Sequence, residues 1–333
     1  MLFKFLNHFK LNTKKQFSII TPTFNQSQYL PRIFDCLSQQ NDVDIEWIIV
    51  DDGSSDNTKE IVSSFEKNFV INYIKQTPIG KPTAMNIGLE QANSHITLVL
   101  DNGYVLPDNI LGDIWNYYDI TSGKFKKDCA CVAGLCKYDN GEIVGKKFPR
   151  DFFISDHIRF IANNNIAGDK CLFYVTEILK QYPYPIFHKE RYITPNIIHS
   201  RIALSHNTLY TNQIFMKKQF AKNDSQARNL WIANPLGSEL YYNEISLPPF
   251  RLNLQIKHIS EYIFFAKLNR KKNIYANTKN KKLFPLGLIF YFTTKIKFNL
   301  KKNFLFQKMY DGIRKITVNR IQQKRNKTKQ GTQ

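Results

Sequence analysis

Two stretches of this chain place acids where a strand should empty into a loop. The first is Ile48-Ile49-Val50-Asp51-Asp52-Gly53-Ser54-Ser55-Asp56, an apolar β-branched run that stops at two carboxylates, a glycine and two hydroxyls. Ser55 or Asp56 is then placed to cap a helix over Thr58 to Phe65, so the unit reads strand, loop, helix. The second is His95 to Leu100 followed by Asp101-Asn102-Gly103. Between them lies Gly80-Lys81-Pro82-Thr83-Ala84-Met85-Asn86, where a glycine frees the backbone and a lysine stands at a helix entrance. In open α/β sheets the ligand crevice lies outside the carboxyl ends of the strands. Adjacent acids there suit the hydroxyls and ring N–H of a nucleoside, or a metal that carries a phosphate, and a nearby lysine suits a diphosphate.

The elements that must position these groups follow the same rhythm. Phe17 to Asn25 reads as a first strand ending in a Thr-Pro-Thr turn, followed by an amphipathic helix through Tyr29, Ile33, Phe34 and Leu37. Glu46 to Val50 is the second strand, Val70 to Ile74 the third and His95 to Leu100 the fourth, and a helix carries Ile110, Leu111, Ile114 and Trp115. Strands alternating with helices at this spacing predict a mostly parallel α/β sheet with right-handed crossovers.

Composition adds an asymmetry. The chain has 333 residues and a formal net charge of +20, yet from Ser246 onward 21 Lys and Arg face only Glu261 and Asp311. The preceding residues are close to neutral, which suggests a globular body with a basic extension meant for an acidic surface. Basic clusters at Lys267 to Lys272 and Lys279 to Lys282, with apolar residues between them, precede Leu283 to Phe292, an apolar aromatic run too short to span a bilayer. This pattern favours a membrane interface over nucleic acid; a helical subdomain packed on the body is the alternative. Met1 to Lys15 lacks the apolar core of a signal peptide, which argues against export by that route. Five cysteines without a paired framework favour a reduced compartment, and Cys129, Cys131 and Cys136 read as small apolar residues of a buried strand rather than zinc ligands.

Taken together, Thr21-Pro22-Thr23-Phe24-Asn25, Val50 to Asp56, Gly80 to Asn86 and Leu100-Asp101 resemble, in order and spacing, the nucleotide-binding half of family 2 glycosyltransferases. The resemblance is strong over the first third of the chain and weaker to about Ala203. It implies an A-type glycosyltransferase fold over residues 16–245, with a nucleotide-binding half (16–115) and an acceptor half (116–245). Residues 1–15 form a basic N-terminal segment and residues 246–333 a basic, mainly helical extension. It further implies a UDP-sugar donor contacted by Thr21, Thr23, Phe24, Asp51, Asp52, Lys81, Asn86 and Asp101, with Asp52 receiving the uracil ring. A divalent metal, Mn²⁺ or Mg²⁺, would be held by Asp101 with Asn102, although Gly103 stands where the family has a second acid.

The resemblance also extends over Thr176 to Leu179 and Glu190 to Ala203, where the related subgroup carries an acid at about Thr194-Pro195. A general base must therefore come from elsewhere, and Asp169, Glu190 and His199 are the candidates. The implied activity is inverting transfer of a hexose or N-acetylhexosamine to a hydroxyl of a bacterial surface glycan, such as lipopolysaccharide, or its lipid-linked precursor. The implied setting is the cytoplasmic face of the cell membrane, with the protein peripheral to it. Two alternatives remain: a catalytically silent relative that binds nucleotide or a partner glycosyltransferase, and a nucleic-acid-associated protein recruited by its basic extension.

Overall fold

The computed structural model describes residues 15–66, 69–122, 129–218 and 227–293. The chain opens with β1 (Gln16–Thr23), α1 (Leu30–Ser38), β2 (Asp44–Asp51), α2 (Thr58–Ser63), β3 (Val70–Lys75), α3 (Lys81–Gln91) and β4 (Ile96–Val99). All three pairings among these strands are parallel, in the order β3-β2-β1-β4. β5 (Tyr104–Val105), α4 (Ile110–Ser122), β6 (Cys129–Tyr138), β7 (Phe153–Ser155), β8 (Lys170–Val175), α5 (Thr176–Leu179), α6 (Asn196–Ile202) and β9 (Asn207–Lys218) follow. They extend the sheet to nine strands, with β8 antiparallel to both β4 and β6. The sheet is therefore mixed, a parallel half joined to a largely antiparallel one.

Side-chain alternation explains why the central strands read as unbroken apolar runs. Ile19, Trp47 and Ile49 face a core with Leu30, Ile33 and Leu37 of α1 and Leu111, Ile114 and Trp115 of α4. Ile20, Ile48 and Val50 face the other side, against Ala84, Met85 and Leu89 of α3 and Ile197, Ile198 and Ile202 of α6. Both faces are covered, so neither set of positions is free to be polar. Cys129, Cys131 and Cys136 are buried in β6, as expected of small apolar residues.

Pro22 lies inside β1 rather than in a turn after it. A proline is tolerated in this central strand because β4 ends opposite Ile20, so no ladder donor is required of residue 22 on that side.

The end of the chain forms a helical unit: α7 (Ala227–Ala233), α8 (Pro235–Glu244), α9 (Leu252–Leu268), α10 (Ile274–Asn277) and a helix over 284–293. Ile259, Tyr262, Ile263 and Phe265 of α9 are buried with Tyr242 and Ile245, and Ile158 and Ala203 of the body join the same cluster. The described part of the basic extension thus packs on the body, with no break in the core at residue 245. The N-terminal segment 1–14 and residues 294–333 lie outside the described residues.

Close packing of α3 on the sheet depends on Gly88, where an added Cβ would stand 2.4 Å from Ile20 Cγ2. We expect Gly88→Ala to destabilise the fold by about 1–3 kcal/mol through overpacking, read as a lowered midpoint in urea unfolding.

Candidate active site

The parallel pairings bring the carboxyl ends of β1, β2 and β4 to one edge of the sheet. Because β8 runs antiparallel to β4, its first residues lie at that same edge, and with them the loop ending at Asp169. A cleft of about 370 Å³ opens there between Pro22, Thr23, Phe24 and Gln26 at the end of β1 and in the loop after it, Asp101, Asn102 and Gly103 on another loop, and Asp52, Lys81, Ala84 and Arg191. Of the residues singled out in the sequence, Thr23, Phe24, Asp52, Lys81, Asp101 and Asn102 line this cleft.

Hydrogen bonds weld the loops that form the cleft. Asp52 is buried, and its Oδ1 accepts from Gln76 Nε2 (2.7 Å), Ile79 N (2.8 Å) and Gly80 N (3.0 Å). Gly53 and Gly80 both have positive φ, and a Cβ at Gly80 would lie 2.6 Å from Arg191 Cα. Only glycine permits that approach. Asn25 bonds to the next loop twice, its N–H donating to Ser54 Oγ (2.9 Å) and its Oδ1 accepting from Ser55 N (2.8 Å). Asp56 accepts from Ser27 N through Oδ2 and from Thr58 N and Oγ1 through Oδ1, so it ties the loops as well as steadying the start of α2. Burial pushes its carboxyl up, but these hydrogen bonds outweigh that and hold it below the usual range.

Several expected contact residues serve this scaffold instead. Asp51 is fully buried, accepting from Ser54 N (2.7 Å) and Tyr73 Oη (2.6 Å), so it stands beneath the cleft and not in it. Thr21 is likewise buried and accepts from Trp47 Nε1 at 2.9 Å. Asn86 pairs through both ends of its amide with the backbone of Tyr184, pinning the following loop to α3.

The expected metal pair is also committed elsewhere. Both oxygens of Asp101 accept from Lys81 Nζ, at 2.7 and 2.8 Å. Asn102 donates its Nδ2 to Gln26 Oε1 (2.6 Å), Pro22 O and Thr23 Oγ1, while its Oδ1 is shut away from solvent without a partner. No cluster of three His, Cys, Asp or Glu capable of holding a metal occurs among the described residues. A hard cation needs several oxygen ligands, and among the described cleft residues Asp52 is engaged by loop N–H groups while Asp101 is already paired with an ammonium. The residues present do not fit a metal held by the protein.

The three candidate bases separate cleanly. Glu190 does not face the cleft: its carboxylate accepts from Leu236 N (2.6 Å) and Gly237 N (2.8 Å), capping α8. Burial raises its pKa despite those bonds. His199 is on α6, its ring stacked on Tyr174 and its Nδ1 hydrogen-bonded to the Tyr174 hydroxyl, away from the cleft. Asp169 sits at the sheet edge described above, accepting from Tyr104 Oη (2.5 Å) and Lys218 Nζ (2.9 Å). Partial burial raises its pKa, but those two donors lower it further, so the net shift is downward and the carboxylate is in its proton-accepting form.

Arg191 is the cleft residue that sequence reasoning missed. Its guanidinium lies 5.6 Å from the Phe24 ring centroid and donates to Pro78 O at 2.9 Å. Nothing local marks it, since its position is set by Asn234, whose Oδ1 accepts from Arg191 N (2.9 Å) and Tyr192 N (3.1 Å).

With this geometry in place, comparison with known proteins can be read against it. Residues 18–178 match the family described as glycosyl transferase family 2. That stretch is a family 2 glycosyltransferase region. Among curated relatives, a chondroitin synthase of Escherichia coli is 37% identical over 161 residues, 45% of this chain and 22% of that protein. The poly(ribitol-phosphate) β-N-acetylglucosaminyltransferase TarP of Staphylococcus aureus is 26% identical over 181 residues, 53% of this chain and 51% of that protein. The chain thus spans between a fifth and a half of these relatives. The crystal structure of S. aureus TarS residues 1–349 in complex with UDP-GlcNAc superposes with a TM-score of 0.58 at 17% identity, covering 82% of this chain and 79% of that one. The fold is the A-type glycosyltransferase fold.

Two histidines buried at α6 should contribute to the pH dependence of stability. The His157 and His199 rings lie 5.8 Å apart, and His157 Nδ1 is cut off from water and without a partner. Burial lowers the His157 pKa to about 4; burial together with the His157 charge lowers that of His199 to about 3. Both are neutral in folded and unfolded chains above about pH 6.5 and cost nothing there. Below it the unfolded chain takes up protons that the folded chain refuses, so stability falls as pH drops from about 6.5 towards 4. We expect a loss of roughly 1 kcal/mol per pH unit for each histidine over that window, measured by urea unfolding from pH 7 to 5. A His199→Phe variant should show a shallower slope.

Proposed function

We propose that this protein transfers a hexose or N-acetylhexosamine from a UDP-sugar to a hydroxyl of a bacterial surface glycan or its lipid-linked precursor, with inversion. The observation that carries this reading is the cleft itself, which gathers a buried carboxylate, an exposed aromatic ring, a carboxylate and two cations at the carboxyl edge of the sheet. Phe24, 41% exposed, offers a face for the base, and Asp52 Oδ2 an acceptor for the uracil N3–H. Asp101 suits the ribose hydroxyls. The acceptor oxygen attacks the anomeric carbon as the bond to the diphosphate breaks, and the hydroxyl proton passes to a carboxylate. Asp169 is the candidate that stands at this edge and is ionised. Fixed cations meet the charge that develops on the departing UDP, so catalysis rests on positioning and electrostatics.

A second reading, nucleotide binding without transfer, is favoured by Gly103 and by Pro195, which precedes α6 where the related subgroup carries its acid.

We further propose that the protein works at an anionic membrane surface on the cytoplasmic side. No helix among the described residues is long and apolar enough to cross a membrane. The helix over 284–293 exposes Leu286, Ile289 and Phe292, and Lys267 Nζ lies 5.1 Å from the Phe292 centroid with Lys281 and Lys282 exposed nearby. Apolar side chains rimmed by lysine suit a headgroup layer. Sedimentation with phosphatidylglycerol vesicles should exceed that with phosphatidylcholine vesicles several-fold, and Lys281→Glu with Lys282→Glu should reduce the difference.

The nucleotide site is tested by Asp52→Asn. The loop N–H groups of Ile79 and Gly80 dictate that the amide oxygen faces them, which turns the NH₂ towards the cleft, where it cannot accept from uracil. Calorimetry should find UDP affinity reduced about 10–100-fold, the worth of one charge-assisted hydrogen bond, with the melting temperature nearly unchanged. Unaltered affinity would overturn the assignment.

A further inference from the structure

We propose that the donor diphosphate is held by two side-chain cations, Lys81 and Arg191, with the Lys81 ammonium in the position of a divalent ion, so that nucleotide binding needs no metal. The inference rests on the UDP-sugar reading above and concerns how that site neutralises its ligand.

The Lys81 ammonium touches both oxygens of Asp101, the one carboxylate in the cleft with a free approach to a phosphate-borne cation. A divalent ion binding at Asp101 would have to displace that ammonium and then lie within a few ångströms of it. Two positive groups so close repel strongly in a partly desolvated cleft. The neighbouring Asn102 cannot compensate, since its amide nitrogen is engaged three times and its oxygen is enclosed. Gly103 has no donor beyond its backbone.

The backbone does not supply the missing charge either. α3 begins at Lys81, but its leading N–H groups are already used: Lys81 N donates to Arg191 O (3.1 Å), Thr83 N and Ala84 N to Gly80 O, and Pro82 has none. A phosphate meeting this helix end must therefore be held by side chains.

Arg191 is built for that task. Among the described residues it has no acidic partner, and of its five donors one is committed, to Pro78 O. Its main chain is fixed from both sides, by Asn234 Oδ1 on Arg191 N and by the Lys81 N–H on its carbonyl. Glu190, one residue before, is clamped on the start of α8. A guanidinium held on an immobile segment loses little freedom when it binds a phosphate, and its planar fork fits two oxygens at once. Lys81 can bridge Asp101 and one phosphate while Arg191 takes the other.

The test is calorimetric titration of the full chain with UDP and with uridine, in EDTA and in millimolar Mn²⁺ or Mg²⁺. UDP should bind in EDTA within about twofold of its affinity with metal, and far more tightly than uridine. Arg191→Ala should weaken UDP binding at least tenfold and leave uridine binding within twofold, and Arg191→Lys should recover part of the loss. Affinity for UDP that rises tenfold or more on adding metal would overturn the inference and leave the nucleotide reading intact. Equal UDP affinity in wild type and Arg191→Ala would overturn the role of Arg191. Absence of UDP binding with and without metal would overturn the nucleotide reading and the inference with it.

Discussion

One oxygen atom fixes the geometry on which the cleft depends. Asp52 Oδ1 gathers a side-chain amide and two consecutive backbone N–H groups, and so decides the path of residues 76–80 between β3 and α3. That path ends at Gly80, whose positive φ turns the chain and whose missing Cβ admits the backbone of Arg191. Lys81 then starts α3 with its ammonium aimed at Asp101. Three hydrogen bonds to one buried oxygen are costly to leave unmade, so the loop has little freedom to adopt another course.

The polar residues of the motif are thus mostly architectural in this molecule. Thr21, Asn25, Asp51, Ser54 and Asp56 spend their hydrogen-bonding groups on one another's loops or on nearby strand residues. Loops at a strand edge cannot use ladder hydrogen bonds, and their buried N–H groups need acceptors from somewhere. Short acids and hydroxyls supply them. What remains lining the cleft is a small set: buried Asp52, the ring of Phe24, the pairing of Lys81 with Asp101, and Arg191.

The sequence made the parallel half of the sheet legible because its signals are local. β1, β2 and β4 are apolar runs buried on both faces, β3 is the partly exposed edge, and each ends in a recognisable polar loop; only the exact ends shifted, as where Pro22 stays within β1. Glu190, His199 and Arg191 were not legible for the opposite reason. Their environments are made by residues distant along the chain: Leu236 and Gly237 for Glu190, Tyr174 and His157 for His199, Asn234 and Gly80 for Arg191. A carboxylate beside two basic residues reads as an ion pair on paper, yet it caps a helix here. The arginine beside it reads as that pair's partner, yet it lines the cleft.

The same clamp joins the C-terminal helices to the chemistry. Asn234 and the first turn of α8 hold residues 190–192, and the first half of α8 is tied to the end of α9: Asn269 Nδ2 donates to Pro235 O (3.1 Å) and Glu239 (2.7 Å), and Lys271 pairs with buried Glu239 at 2.5 Å. Gly287 lets the helix over 284–293 pack against Ile259 of α9, where a Cβ would come within 2.2 Å. From the exposed apolar side chains of that last helix to the Arg191 main chain, every step is a packed helix or a hydrogen bond. A surface that engages the helix therefore orients the cleft as well, because no loose linker among the described residues intervenes to absorb a rotation.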